Sequence, residues 1–235
     1  MATTNFIFEK WEIKMELKGK KINFLGDSIT EGHGTSDCAT KPYHQILKAN
    51  TGLAEARNYG VGGTKIARLP VITDHQFDQD FNLRALNMDT DADAIVVFGG
   101  TNDFGHGTIP MGEMKDRDPH TFYGGLHTLC QYLIKTYIDK PIVFMTPLHR
   151  LNEIMDYENR VKDGNTCARP LADFCQAIRE VCEFYSIPVL DLYRESGMYG
   201  QLWCWCERYM PDGLHPNDAG HVLIANKVQK FLENL

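Results

Sequence analysis

The chain has 235 residues, of which 43% are apolar and 23% charged, and its formal net charge is −7. This length suits one large domain or two small ones with a sizeable core, and the negative charge argues against a nucleic-acid partner. No apolar run approaches the roughly 20 residues that span a bilayer, and the N-terminus lacks the pattern of a signal peptide, so we expect no membrane association and a cytoplasmic location.

Five short runs of β-branched and aromatic residues predict strands. They are residues 21–25, 55–61, 94–98, 141–145 and 187–192, of which the second is the weakest. Because these runs are apolar on both faces, they are typical of parallel strands covered by helices. Residues 1–20 are interpreted as an N-terminal extension to a domain of residues 21–235, and alternation within residues 5–17 predicts a further edge strand.

Between the strands, apolar residues recur every three or four positions, which predicts amphipathic helices. The predicted helices cover residues 41–51, 121–138, 169–186 and 217–234. Alternating strands and helices indicate an α/β domain with a parallel sheet. Residues 104–120, 148–168 and 193–211 are predicted to be irregular. Each stretch follows a strand, so they should gather at the carboxyl edge of the sheet, where such sheets bind ligands.

The first predicted strand runs into the sequence FLGDSITEG, residues 24–32. Ser28 follows the strand directly and admits two interpretations, a helix cap or a catalytic nucleophile. A serine hydroxyl is a weak nucleophile at neutral pH. The second interpretation therefore requires a base within hydrogen-bond distance and a third group that orients the base.

Histidine is the usual base, and three of the nine histidines follow an aspartate at the spacing Asp-x-x-His. The pairs are Asp103/His106, Asp212/His215 and Asp218/His221. The aspartate can contact Nδ1 of the histidine across one turn, but such pairs also arise by chance, so context must select. Asp218 stands where a helix begins and suits a cap or a first-turn carboxylate. His215 precedes that helix in a loop enforced by Gly213, which leaves its ring free to turn inward.

Two glycine-rich segments after predicted strands could donate hydrogen bonds to a developing oxyanion. In GGTND, residues 99–103, Asn102 offers a side-chain amide, although Asn102 and Asp103 also suit an Asx turn. In NYGVGGT, residues 58–64, backbone N–H groups could serve. The glycine spacing there matches neither G-x-G-x-x-G nor a P-loop, so a nucleotide site is not favoured.

The cysteines argue against both a disulfide framework and a metal site. They are seven in number, and most lie in predicted helices or apolar segments, which suits reduced thiols. Cys204 and Cys206 form a C-x-C pair with no second pair nearby, so we favour buried thiols over a zinc or redox site.

Taken together, four segments resemble the sequence blocks of the GDSL esterases, also called SGNH hydrolases. FLGDSITEG resembles the first block, NYGVGG the second, GGTND the third and DGLHPNDAGH the last, in the family's order across residues 24–221. One departure is Ile29, which replaces the leucine of G-D-S-L. The resemblance implies a three-layer α/β/α, flavodoxin-like fold with a parallel sheet of about five strands.

The resemblance also implies roles for individual residues. Ser28 would be the nucleophile, His215 the base and Asp212 the group that orients the base. The oxyanion hole would consist of the N–H groups of Ser28 and Gly63 with the Asn102 amide, although the adjacent Gly62 also fits. No metal and no organic cofactor would be needed.

The family acts on lipid, carbohydrate and small acyl esters and on thioesters. The chain lacks an extended apolar lid, so we expect a small soluble ester, above all an O-acetyl group on a carbohydrate. The alternatives are a lipase, a lysophospholipase, a thioesterase or an acyltransferase. A binding module without turnover is disfavoured because the set of catalytic residues is complete.

Candidate substrate-binding residues lie in the segments after the strands. They are Asp27, His33, His106, His149, Arg150, Trp203 and Trp205. His33 and His106 each belong to a GHGT tetrad, and Arg150 could bind a hydroxyl or a carboxylate. The tryptophans could stack on a sugar face, but core packing or a contact between copies of the chain is the competing interpretation. A homo-oligomer is accordingly among the expectations.

Overall fold

The computed structural model describes residues 15–73 and 75–235. The edge strand predicted within residues 5–17 falls largely outside this part, and the domain boundary at residue 20 stays a prediction. Leu17 is buried in the core, and the N–H of Met15 donates to the carbonyl of Glu233 at 3.2 Å. The chain therefore enters the domain beside its own C-terminus.

Five strands form one parallel sheet in the order β2-β1-β3-β4-β5. Their bounds are β1 Lys21–Gly26, β2 Glu55–Gly60, β3 Ala94–Phe98, β4 Ile142–Met145 and β5 Val189–Leu190. All five predicted strands are present. The fifth is shorter than predicted, because Asp191 ends it by accepting a hydrogen bond from the N–H of Arg194 and starting a helix at Leu192.

Ten α-helices flank or connect the strands in the described part of the chain. They are α1 Ser28–Glu31, α2 Tyr43–Thr51, α3 Phe81–Ala85, α4 Thr101–His106, α5 Phe122–Thr136, α6 Glu153–Lys162, α7 Leu171–Phe184, α8 Leu192–Glu195, α9 Trp203–Tyr209 and α10 Asp218–Glu233. The four predicted helices correspond to α2, α5, α7 and α10. None of these helices is both long and apolar enough to cross a membrane.

Two of the stretches predicted to be irregular contain helices, and this part of the prediction was wrong. Helix α6 lies within residues 148–168 and α9 within residues 193–211. The apolar residues of α6 that would mark a buried face, Ile154, Met155 and Val161, are all exposed. A helix that buries little apolar surface gives a weak periodic signal in the sequence.

The core has two halves, one on each face of the sheet. In β3, Ile95 and Val97 belong to the apolar cluster that includes residues of α3, α5 and α7. The alternate residues Val96 and Phe98 belong to the cluster that includes residues of α2 and α10. This alternation confirms the predicted three-layer α/β/α architecture, in which both faces of a parallel sheet are covered.

The chain runs from β1 to β2 on one side of the sheet, and from β3 to β4 on the other. The connections after β1 and β3 therefore lead away from each other, and a crevice opens at the carboxyl ends of these two strands. Helix α1 packs tightly into this edge against the end of β2. A Cβ atom at Gly60 would lie 2.2 Å from the backbone nitrogen of Glu31, so only glycine allows the approach. The end of β2 thus packs against the last residues of α1 and holds this short helix at the crevice.

Candidate active site

Ser28 is the first residue of α1 and lies immediately beyond the end of β1. Asp27 caps the helix by accepting a hydrogen bond from the N–H of Ile29 at 3.0 Å. Ser28 is therefore not the cap, and its hydroxyl is available for another contact. Its backbone N–H is one of the donors that the first turn of a helix leaves unpaired.

The hydroxyl of Ser28 contacts His215. Ser28 Oγ lies 3.0 Å from His215 Nε2, and His215 Nδ1 lies 2.6 Å from Asp212 Oδ2. If Nδ1 carries the ring proton and donates it to the carboxylate, Nε2 is left as the acceptor that faces the serine. These three side chains form a continuous chain of hydrogen bonds from a hydroxyl through an imidazole to a carboxylate.

The loop between α9 and α10 is shaped to present Asp212 and His215 together. Asp212 Oδ1 accepts hydrogen bonds from the N–H groups of Leu214 at 2.9 Å and His215 at 2.7 Å. Gly213 has φ of 78°, in the left-handed region that favours glycine. Its carbonyl accepts a hydrogen bond from the N–H of Leu151 at 2.8 Å, which anchors the loop to the segment after β4.

Asp212 is ionised at neutral pH. Partial burial by itself raises the pKa of this carboxyl, but hydrogen bonds from His215 and Leu214 outweigh burial and hold the pKa below its usual value. Its side chain remains 52% exposed. Solvent therefore weakens the interaction of the carboxylate with the imidazole, compared with a fully buried pair.

Possible oxyanion donors lie opposite His215. The N–H of Gly62 is engaged, because it donates to Glu31 Oε2 at 2.8 Å. Gly63, with φ of 73°, lines the cavity beside Ser28, and a Cβ atom placed there would meet no other atom within 4 Å. Of the two glycines left open by the sequence, the geometry favours Gly63 as the donor.

Asn102 is the second residue of α4 and faces the same cavity. Its Nδ2 donates to the carbonyl oxygen of Thr64 at 3.0 Å, which fixes the plane of the amide. An amide nitrogen has two hydrogens, so one remains for a ligand. The Asx turn considered for Asn102 does not form, because the residue lies within a helix.

A buried arginine holds the backbone on which these donors depend. Arg84 in α3 donates to the carbonyl oxygens of Tyr59 at 2.5 Å and Gly26 at 2.8 Å, and to the hydroxyl of Thr64 at 2.8 Å. Burial lowers the pKa of Arg84 to about 10, although the nearby Asp27 opposes the change. The guanidinium stays charged at neutral pH and ties the ends of β1 and β2 to the glycine-rich loop.

The other two Asp-x-x-His pairs have different contacts. Asp103 does not contact His106, because its two oxygens accept hydrogen bonds from the N–H groups of Ile66 and Ala67, both at 3.0 Å. Burial raises the pKa of Asp103 to about 6, while these hydrogen bonds act in the opposite direction. Asp103 thus organises the segment that follows the glycine-rich loop.

Asp218 and His221 lie outside the cavity, as expected for a helix start. Asn217 caps α10 by accepting from the N–H of Gly220, and Asp218 accepts hydrogen bonds from the N–H and hydroxyl of Ser36. His221 is buried, and its Nδ1 accepts from the N–H of Tyr43 at 3.1 Å. Burial lowers the pKa of His221 to about 4, so its ring is neutral at ordinary pH.

The Ser28–His215 contact lies on the wall of a cavity of about 620 Å³. Among the predicted substrate-binding residues, His33 and His106 line this cavity, and the His33 ring packs edge-on against the His215 ring at 4.3 Å between centroids. The sequence analysis missed six lining residues, which are Glu31, Lys65, Gln76, Phe77, Asp78 and Leu214. Lys65 could have been suspected, since it directly follows the glycine-rich loop NYGVGGT.

Three of the predicted substrate-binding residues make structural contacts outside this lining. Asp27 is buried as the cap of α1, and burial raises its pKa to about 7. His149 Nδ1 lies 3.0 Å from Glu153 Oε1. The guanidinium of Arg150 packs over the ring of Phe104. Asp27 and His149 are thus engaged by other protein groups, whereas Arg150 Nε is buried without a hydrogen-bond partner among the described residues.

The tryptophans of α9 do not line the cavity either. Trp203 is 52% exposed, and Trp205 stacks on Tyr209 with 5.2 Å between ring centroids. All seven cysteines are free thiols, which agrees with their interpretation from the sequence. Cys206 is buried and donates to the carbonyl of Gly200, whereas Cys204 is exposed, contrary to the expectation that both are buried.

Within the described ranges, one set of side chains has the spacing of a metal site. Ligand atoms of His33, Asp212 and His215 lie within 4.8 Å of one another. Two of these residues already share the hydrogen bond that connects to Ser28. A cation at this position would compete with that hydrogen bond, so the set does not form a separate site.

Comparisons with known proteins identify the family of the chain. Residues 24–223 match the model of the GDSL-like Lipase/Acylhydrolase family. A solved structure from Lactobacillus plantarum is 33% identical, with a TM-score of 0.77 over 92% of this chain and 97% of that one. The search of curated proteins found no significant match.

Two more distant structures share the fold. A carbohydrate acetylesterase family member from Sinorhizobium meliloti is 14% identical, with a TM-score of 0.63 over 91% of this chain and 97% of that one. A salicylyl-acyltransferase from a tetracycline biosynthetic pathway is 20% identical, with a TM-score of 0.62 over 91% of this chain and 54% of that one. At these identities the likeness extends to the fold alone.

Proposed function

The chain belongs to the GDSL-like lipase/acylhydrolase family, and from this premise we propose that it is a serine esterase acting through Ser28, His215 and Asp212. Membership of the family makes it an acylhydrolase. The observation that carries the residue assignment is the continuous hydrogen-bond chain from Ser28 Oγ through His215 to Asp212. A nucleophile, its base and the group that orients the base are recognised by this geometry.

The proposed reaction has two halves. Ser28 Oγ attacks the ester carbonyl carbon while His215 Nε2 takes the hydroxyl proton, and Asp212 stabilises the resulting imidazolium. The tetrahedral intermediate then collapses, and His215 returns the proton to the departing alcohol, which leaves an acyl group on Ser28. In the second half, water attacks the acyl carbon while His215 Nε2 takes one of its protons. The bond between the acyl carbon and Ser28 Oγ then breaks, the acid leaves, and His215 returns the proton to Ser28 Oγ.

Three donors would bind the negative charge that develops on the carbonyl oxygen. They are the N–H groups of Ser28 and Gly63 and the free hydrogen of the Asn102 amide. All three are held before a substrate arrives, and the loss of one such donor typically lowers kcat about 100- to 1000-fold. The engagement of Gly62 by Glu31 supports the choice of Gly63.

We propose a small, soluble ester as the substrate, with O-acetyl groups on carbohydrates as the leading class. A cavity of about 620 Å³ lined by His33, His106 and Gln76 suits a compact polar molecule. The absence of a metal or cofactor requirement, the cytoplasmic location and a homo-oligomeric state stay predictions.

The test is hydrolysis of p-nitrophenyl acetate, with p-nitrophenyl esters of longer chains expected to react more slowly. Ser28→Ala should abolish turnover without a change in the circular dichroism spectrum. Ser36→Ala is the matched control, because its hydroxyl bonds to Asp218, away from the cavity. Retention of the full rate in Ser28→Ala would exclude the proposed nucleophile. A panel of acetylated xylose, O-acetylated sialic acid, an acyl thioester and a lysophospholipid then ranks the substrate classes.

A further inference from the structure

Lys65 is a buried cation in the wall of the candidate active site. The residue is only 6% exposed, yet it lines the same cavity as Ser28 and Asn102. Among the residues that the structure describes, Asp103 and Asp78 act on its ammonium through their charges, without a hydrogen bond to it. Lys65 lines the cavity, so an anionic group on a bound ligand can supply the partner that a cation with so little exposure normally has.

The backbone around Lys65 is fixed by hydrogen bonds on both sides. The carbonyl of Lys65 accepts from the N–H of Phe81 at 2.9 Å, and the carbonyl of Thr64 accepts from Asn102. The next two N–H groups, of Ile66 and Ala67, both donate to Asp103. Lys65 therefore stands next to the residue that orients the Asn102 amide, on a segment with little freedom to move.

The neighbouring carboxylates are already engaged with other groups. Asp103 accepts two backbone N–H groups, as described above. Asp78 accepts the hydroxyl of Thr73, and Glu31 accepts the N–H of Gly62. Burial lowers the pKa of Lys65, although the charges of Asp103 and Asp78 act in the opposite direction.

We propose that the natural ester carries an anionic group, such as a carboxylate, and that Lys65 binds this group while Ser28 attacks the carbonyl. The proposal rests on the proposed esterase function and specifies its substrate class. Hydrogen bonds between charged groups are roughly twice as strong as neutral ones, and they strengthen further where water is excluded. Lys65 thus selects among esters, and the acyl transfer itself stays with Ser28 and His215.

The competing interpretation is that Lys65 only compensates the buried charge of Asp103. This role would make Lys65 equally important for every substrate, because it would act through the stability of the site. A role in substrate recognition instead affects anionic esters selectively. The ratio of kcat/KM for an anionic ester to kcat/KM for its neutral counterpart separates the two, since a general loss of activity cancels in the ratio.

Two matched pairs of esters place the anion on either side of the scissile bond. The pair p-nitrophenyl hydrogen succinate and p-nitrophenyl butyrate differs by a carboxylate on the acyl side. The pair 3-acetoxybenzoate and phenyl acetate differs by a carboxylate on the alcohol side. We expect the wild-type protein to prefer the anionic member of at least one pair by about tenfold or more, which corresponds to about 1.4 kcal/mol.

Substitutions of Lys65 then test whether it is the source of the preference. In Lys65→Met the ratio should fall by about tenfold for that pair, whereas Lys65→Arg should retain most of the preference. Asp78→Asn should raise the ratio. Lys115→Met is the control, because Lys115 is a surface residue paired with Glu113. If Lys65→Met does not fold, Lys65→Gln replaces it.

Absence of an anion preference in the wild-type protein, or an unchanged ratio in the Lys65 variants, would overturn the proposal. Neither result affects the esterase assignment, which depends on the loss of turnover in Ser28→Ala. Conversely, undiminished turnover in Ser28→Ala would refute the proposed function itself. The two failures are therefore distinguishable.

Discussion

Replacement of Asp212 by asparagine should inactivate the protein by imposing the wrong tautomer on His215. The N–H groups of Leu214 and His215 both donate to Asp212 Oδ1, and Oδ2 faces Nδ1 of the ring. In the variant, these two donors hold the amide oxygen in the position of Oδ1, so the NH₂ group turns toward Nδ1. Nδ1 must then accept a hydrogen bond, Nε2 carries the proton, and Nε2 cannot take another from Ser28.

The magnitude follows from the contacts that change. The lost charge-assisted hydrogen bond is worth about 1.5–3 kcal/mol, and the exposure of Asp212 places it near the lower end. The wrong tautomer adds to this loss, and the same substitution in a protease triad lowers kcat about 10⁴-fold. Rotation of the amide would set its NH₂ group against two N–H donors, at a cost of about 1–3 kcal/mol for each donor left unpaired. We expect kcat to fall about 10³- to 10⁴-fold.

The assay compares kcat for p-nitrophenyl acetate in Asp212→Asn and Asp218→Asn. The second variant makes the same chemical change in the neighbouring pair, where Asp218 bonds to Ser36 rather than to a ring facing the cavity. We expect it to retain kcat within about threefold. Asp212→Ala should be at least as active as Asp212→Asn, because water can accept the Nδ1 proton. A loss of less than about tenfold in Asp212→Asn, or equal losses in the two asparagine variants, would refute the reasoning.

Two other variants probe the oxyanion donors and the buried acid beside Ser28. Asn102→Ala should lower kcat about 100- to 1000-fold while KM changes little, because the amide is needed only as charge develops; a change confined to KM would contradict the assignment. Asp27→Asn should keep the cap on Ile29 but remove a carboxyl whose folded pKa is about 7, above its ordinary 3.8. The folded state holds this proton more tightly than the unfolded state, so the protonated carboxyl stabilises the fold in acid. This contribution to the free energy of unfolding, on the order of 4 kcal/mol, is lost as the pH rises from about 4 through 7. Urea denaturation at several pH values should therefore give Asp27→Asn a growing advantage over the wild-type protein with rising pH, and parallel curves would show that the carboxyl is not perturbed.

Most of the sheet could be predicted because its strands are buried on both faces. Runs such as residues 94–98 are apolar throughout, and their bounds agree with β3. The helices that escaped prediction are short, as α1 and α3 are, or bury little apolar surface, as the exposed Ile154 and Val161 of α6 illustrate. For such a helix the sequence has no buried stripe to detect.

Some residues of the candidate site could likewise be predicted from the sequence, and others could not. Ser28 and the His215 loop could be placed together because their motifs resemble the sequence blocks of one family. Lys65 could not, since its significance depends on burial and on the engagement of Asp103 and Asp78 by other donors. The preference for Gly63 over Gly62 likewise required the contact between Glu31 and the Gly62 N–H.

The buried guanidinium of Arg84 has a consequence for the proposed oxyanion donors. It joins the carbonyls of Gly26 and Tyr59 to the hydroxyl of Thr64, and the Thr64 carbonyl in turn orients Asn102. These contacts form as the domain folds, so the dipoles around the carbonyl oxygen are aligned before any substrate enters. In aqueous solution, water dipoles would have to reorient around the new negative charge during each reaction. In the protein, the dipoles of the proposed donors are oriented once, during folding.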